Sequence, residues 1–154
     1  MLNTIIEINL EKWQWFFYLV AIIVALFLIV WLYKKVHHFF RAMVWSKEEK
    51  DLIRKRWNKI EKHLESGAES GFRLAILEAD KLLDYVLKQR FMPGETLAER
   101  LKYAQYKYPK LQKVWWAHKV RNDLVHEATF TVSENLAKKV INSFREALRE
   151  IGAL

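Results

Sequence analysis

Between Trp13 and Tyr33 no side chain carries a charge at neutral pH, and Gln14 is the only strongly polar residue. As a helix rising about 1.5 Å per residue, such a run extends about 30 Å, the depth of a bilayer's hydrocarbon core. Trp13 and Trp15 stand at one end and Trp31 and Tyr33 at the other, where amphipathic rings favour the headgroup level. A buried core helix is the competing reading, but core helices of that length rarely lack a charge. A cleaved signal peptide fits poorly, because Glu7, Glu11 and a single Lys12 precede the run and no small-residue cleavage site follows it. The run therefore predicts a transmembrane helix over 13–33, preceded by a short extracytoplasmic leader at 1–12.

Flanking charge predicts the orientation. Only Lys12 precedes the run, whereas Lys34, Lys35, Arg41, Lys47, Lys50, Arg54, Lys55 and Arg56 follow it. The positive-inside rule then puts the N-terminus outside and the C-terminal part in the cytoplasm, at the cell's inner membrane. Setting aside Glu7, Glu11 and Lys12 from the 26 basic and 18 acidic residues leaves a net charge of +9 for the remainder. Such a surface attracts polyanions such as anionic lipid, RNA or DNA. About one hundred residues remain for a folded unit, enough for one domain core and too few for a second. Without cysteine the chain has no disulfide framework, thiolate metal site or cysteine nucleophile.

Periodicity beyond the anchor is helical throughout. Val36, Phe39, Phe40, Met43 and Val44 share one face, opposite Lys35, His38 and Arg41, which suits either a helix on the bilayer surface or a plain stalk. Ser46 and Glu49 form a capping-box pattern before the stripe Ile53, Trp57, Ile60 and Leu64, which ends at Ser66 and Gly67. This basic juxtamembrane region and first domain helix occupy 34–66, and the rest of the domain 67–154. A second helix is expected from about Ser70 to Arg90 through Phe72, Ile76, Leu83 and Leu87, stopped by Pro93 and Gly94. Thr96 and Glu99 cap a third through Leu97, Leu101 and Ala104, which Pro109 closes. A fourth covers Leu111 to His126. After an extended piece around Phe130, a cap spanning Thr131 to Glu134 opens a fifth through Leu136, Val140, Ile141, Phe144, Leu148 and Ile151. No stretch alternates with a period of two over strand length. The fold class expected is all-α: one transmembrane helix, then a small antiparallel bundle of four to five helices.

The fourth helix is the least ordinary. At about 100° per residue, Val114, Arg121 and Val125 lie within roughly 40° of one another, with Leu111 and Leu124 on the flanks. Arg121 thus emerges within an apolar stripe, where a guanidinium must be paired or must face a cleft or a partner chain. His118, Asn122 and His126 follow at i, i+4 and i+8 as a polar ridge beside it. An arginine that grips a phosphate in a two-pronged fork, with a histidine titrating near neutrality, suits phosphodiester chemistry. In the alternative reading Arg121 pairs with Glu78, Asp80 or Asp84 of the second helix, and the histidines satisfy hydrogen bonds in the core.

Arg121 and Asn122, followed after Asp123, Leu124 and Val125 by His126, resemble the arginine-to-histidine signature of the HEPN superfamily of small helical-bundle domains. The similarity covers roughly Ser70 to Leu154. It implies a metal-independent endoribonuclease acting as a homodimer in stress or defence, with RNA as substrate and an antitoxin-like protein as partner. It also implies Arg121 as phosphate clamp, His126 as acid-base residue and Asn122 as an orienting group, with His118 in support. On a straight helix Arg121 and His126 diverge by about 140°, and a dimer cleft joining one chain's arginine to the other's histidine eases this. The anchor and the basic helix from Lys47 to Lys62 depart from the minimal domain, so a non-catalytic module binding RNA, nucleotide or protein at the membrane is the alternative, with a purely structural membrane protein third.

Other chemistries lack their parts. His37 and His38 are adjacent and point about 100° apart on a helix, and no metal-ligand spacing occurs, so no metal and no cofactor is expected. Neither a glycine-rich phosphate loop nor a Gly-x-Ser-x-Gly elbow is present. Trp115 and Trp116 suit either base stacking or helix packing.

Overall fold

The computed structural model describes the backbone of 2–43 and 45–154 and the side chains of 15–36 and 45–154. The chain divides into two compact units, Met1–Val44 and Trp45–Leu154. All regular structure among the described residues is helical.

The first unit contains α1 (Leu2–Met43). Its stretch Trp15–Val36 is long and apolar enough to cross a membrane, and none of it is buried within the protein. Lys35, near the end of this stretch, lies 5.0 Å from the ring centre of Trp31, one turn back, so its cation rests on an aromatic face. The side chains of Trp13, His37 and His38, and the stripe from Phe39 to Val44, lie outside the described residues.

The second unit has α2 (Lys47–Glu65), α3 (Glu69–Gln89), α4 (Leu97–Lys107), a 3-10 turn (Pro109–Lys113), α5 (Val114–His126) and α6 (Glu134–Glu150). The N-terminal caps of α2 and α4 follow the sequence pattern. Ser46 accepts from Glu49 N at 3.1 Å and its own N–H donates to Glu49 Oε2 at 2.8 Å, while Thr96 and Glu99 form the same reciprocal pair ahead of α4. Two expected boundaries differ. Pro109 opens the 3-10 turn, so the α-helix bearing the motif starts at Val114 and not at Leu111. Proline has no N–H to lose at such a start and fixes the required φ. Ser133, and not Thr131, caps α6 by accepting from Leu136 N at 3.3 Å.

α3 is the central element. It packs against α2, α4, α5 and α6, which accounts for its broad apolar face. Ile76, Leu83 and Leu87 are fully buried there, against Phe144, Ile141 and Leu148 of α6 and Ile53 and Ile60 of α2. Burying side chains of this size stabilises by about 1.5–3 kcal/mol each. The close crossing of α2 and α3 also needs Gly71, because a Cβ there would lie 2.5 Å from the carbonyl oxygen of His63. The N-terminal end of α3 thereby comes under the last turn of α2, and its middle, carrying Asp80, faces α5.

Candidate functional site: a ring of polar side chains between α3 and α5

Asp80 is an acid on the apolar face of α3, only 4% exposed. An ionised carboxylate so placed is costly unless paired and hydrogen-bonded. Its partners come from α5. Asp80 Oδ1 lies 2.7 Å from His118 Nδ1, and Asp80 Oδ2 lies 3.2 Å from Arg121 Nε. The second contact has ion-pair distance without the alignment of a hydrogen bond.

Asn122 closes the circuit. Arg121 Nη1 donates to Asn122 Oδ1 at 2.9 Å, and Asn122 Nδ2 lies 3.3 Å from His118 Nε2. With its oxygen committed to the guanidinium, the amide turns its NH₂ toward the imidazole. His118 then accepts at Nε2 and carries its proton on Nδ1, facing the carboxylate, which is the neutral tautomer. Asp80, His118, Asn122 and Arg121 thus form a closed ring, and each member fixes the orientation of the next.

The ring sits in the wall of a cleft of about 450 Å³. Arg121 keeps 27% of its side chain exposed there, whereas His118 keeps 11%. The opposite wall is built on Arg100 of α4, 4% exposed. Its Nε donates to Asp84 Oδ1 at 2.7 Å, its Nη2 to the Glu95 carbonyl at 2.8 Å, and its Nη1 to the Gly94 carbonyl. Burial acts against the Asp84 carboxylate, but Arg100 and Lys88 outweigh it and hold Asp84 below its ordinary pKa. One arginine thereby ties α3, α4 and the loop between them into a fixed cleft rim.

The sequence-derived candidates are distributed unevenly. Arg121, Asn122 and His118 come together, and Arg121 takes Asp80 of its own chain from the three carboxylates considered; Glu78 instead lies 3.6 Å from Lys81. The charge of Arg121 therefore does not need a partner chain to be met. His126, at the last position of α5, is exposed and does not line this cleft. The stripe around Arg121 also differs from expectation. Val114 and Leu124 are buried, but Val125 is 51% exposed. Trp115 packs partly against the core, and Trp116 is 44% exposed.

The chain following His126 is held by side chains of α3. Arg73 donates from Nη2 to the Leu124 carbonyl at 3.0 Å and from Nη1 to the Phe130 carbonyl at 2.7 Å, and Glu69 accepts from Val132 N at 3.1 Å. Carbonyls left open at a helix end are satisfied in this way, and the segment after the histidine is fixed. Asp80, Arg100 and Arg73 did not stand out as site residues in the sequence. Asp80 was one of three equivalent acids on its helix, and no periodic pattern marks an arginine whose partners are loop carbonyls. No family model matches the chain, and no curated protein or solved structure is significantly similar to it.

Proposed function

We propose that this chain is a membrane-tethered, cytoplasmic HEPN-like domain that dimerises and cleaves RNA without a metal, in a stress or defence role under the control of an antitoxin-like partner. The observation that carries this reading is the arrangement of the motif's first two residues. Arg121 and Asn122 are aligned by Asp80 and His118 and open on a cleft of about 450 Å³. Asp80 and Asn122 engage only Nε and Nη1 of Arg121, and a guanidinium has five N–H donors, so the fork keeps donors for a phosphate. His126 is exposed one turn further on. There it would reach the cleft of a second copy, removing the 2′-hydroxyl proton or protonating the leaving oxygen.

In this mechanism the ribose 2′-oxygen attacks the adjacent phosphorus, the 5′-oxygen of the next nucleotide leaves with a proton, and a 2′,3′-cyclic phosphate remains. His126→Ala is expected to slow cleavage about 10²- to 10⁴-fold with RNA affinity nearly intact, because acid-base help acts mainly on the rate. Arg121→Ala should weaken both, and Arg121→Lys should not restore them, since an ammonium lacks the planar fork. Cleavage should persist in chelator. Mixing equal amounts of the two inactive alanine variants should recover about a quarter of wild-type activity, because half the dimers are mixed and each has one intact composite site.

The ring favours a second reading, in which Arg121 braces α5 against α3 and the domain binds RNA, nucleotide or protein without cutting it. Wild-type protein that leaves varied RNAs intact across pH would establish that reading in place of the first, whereas folded His126→Ala with wild-type cleavage would remove His126 from the mechanism.

A further inference from the structure

The central cleft is balanced in charge. Lys81, Arg100 and Arg121 line it together with Asp80, Asp84 and Glu95, and the two arginines are already engaged by carboxylates. A polyanion drawn to the domain therefore needs its attraction from elsewhere. Such a surface adjoins the cleft. Between α2 and α3 runs a groove of about 420 Å³ with Arg56, Lys59 and Lys81 on its walls and Ile60 and Leu82 beneath; its one acid, Glu78, lies 3.6 Å from Lys81, which leaves the groove an excess of two positive charges. Lys81 lines both the groove and the cleft, so the two depressions meet at its side chain.

The helices hold these cations outward. Ile53, Trp57 and Ile60 bury one face of α2, which leaves Lys55, Arg56, Lys59 and Lys62 exposed. Arg56 is steadied in the groove by the ring of Tyr85, 4.6 Å from its guanidinium carbon. By contrast, Glu61 of the same helix is occupied by Trp57 Nε1 at 2.9 Å and Arg145 Nη2 at 2.7 Å.

We infer that the groove between α2 and α3 is the track on which a single RNA strand lies before its scissile phosphate reaches Arg121, with Arg56, Lys59 and Lys81 neutralising successive phosphates. This rests on the RNA reading above and adds the route to the site. A concave channel that ends in the cleft suits one flexible phosphodiester chain better than a flat lipid surface. Contacts here are made to the backbone, so the track binds without regard to sequence and its strength falls steeply with salt.

The test uses the full chain in phosphatidylcholine nanodiscs and a fluorescent 2′-O-methyl oligouridylate of about a dozen nucleotides, which binds but offers no attacking hydroxyl. The double variant Arg56→Glu, Lys59→Glu is expected to weaken binding about 10- to 100-fold and to reduce the salt slope by about 2, while cleavage of a uridine dinucleotide is unchanged. Lys81→Gln, a milder change at the junction, should weaken binding in the same direction. Lys138→Glu with Lys139→Glu on α6 alters the charge equally and should leave affinity as it is. If the wild type binds the oligonucleotide and the groove variants bind it equally well, the track is wrong and the RNA reading stands. Groove variants that keep RNA affinity but lose attachment to phosphatidylserine vesicles would assign the groove to lipid. A wild type that binds no RNA overturns both readings.

Discussion

Asp80 shows how a side chain of the wrong polarity for its position becomes the organiser of a site. A lone acid on the inner face of α3 would be costly, yet with His118 and Arg121 as partners it fixes an imidazole tautomer and the orientation of a guanidinium. Asp84, one turn further along α3, does the same for Arg100, and its lowered pKa gives a test. A carboxylate held below its ordinary pKa contributes stability that is complete above the unfolded value and disappears as pH falls through the folded one. Asp84→Asn should therefore cost about 2–4 kcal/mol at neutral pH, since it leaves the buried Arg100 without its counter-charge. The difference from wild type should shrink as pH drops below about 4. Urea unfolding of both proteins over a pH series measures this, and a gap that stays constant to acid pH would show that the Asp84 charge is not its source.

At the scale of elements, a helix start was legible where a capping box marks it, and the starts of α5 and α6 were not. The starts at Ser46 and Thr96 follow from a hydroxyl and a glutamate three residues apart, a purely local chemistry. At the ends of α3 and α6 the chain makes the same turn with different residues. After α6, Gly152 takes φ +74° and donates to the Arg149 carbonyl, while Ala153 donates to Leu148. After α3, Phe91 takes φ +55° and donates to Lys88, while Met92 donates to Leu87. Phe91 is 67% exposed, so burial does not offset the steric cost of a Cβ in the left-handed region. Phe91→Gly is expected to stabilise the domain by about 1 kcal/mol, read as a raised urea midpoint with unchanged slope. A lower midpoint would mean that the aromatic ring makes a contribution larger than the strain.

For the whole molecule the central expectation is topological. A reporter active only in the cytoplasm should work when fused after Leu154 and fail when fused before Met1, given the excess of lysine and arginine after the apolar run. The reverse pattern would remove the domain from cytoplasmic RNA and with it the proposed substrate. Under the proposed membrane tether the local concentration of the domain would rise, and a weak two-fold contact would then suffice for the proposed composite site.

The amino-acid sequence by itself determined the apolar helix, the all-helical class, the caps at Ser46 and Thr96 and the anomaly of Arg121. Each depends on hydrophobic period, charge or chemistry within a few residues, and such signals survive without knowledge of neighbours. Only the tertiary structure decided which acid meets Arg121, because Glu78, Asp80 and Asp84 are all carboxylates on α3 and differ in which neighbour each one meets. It also decided that Val125 is exposed and that Lys81 lines both the groove and the cleft, since both depend on which elements pack around each residue. Contacts between residues far apart in the chain are set by packing, and packing is the part of the fold that a linear pattern does not contain.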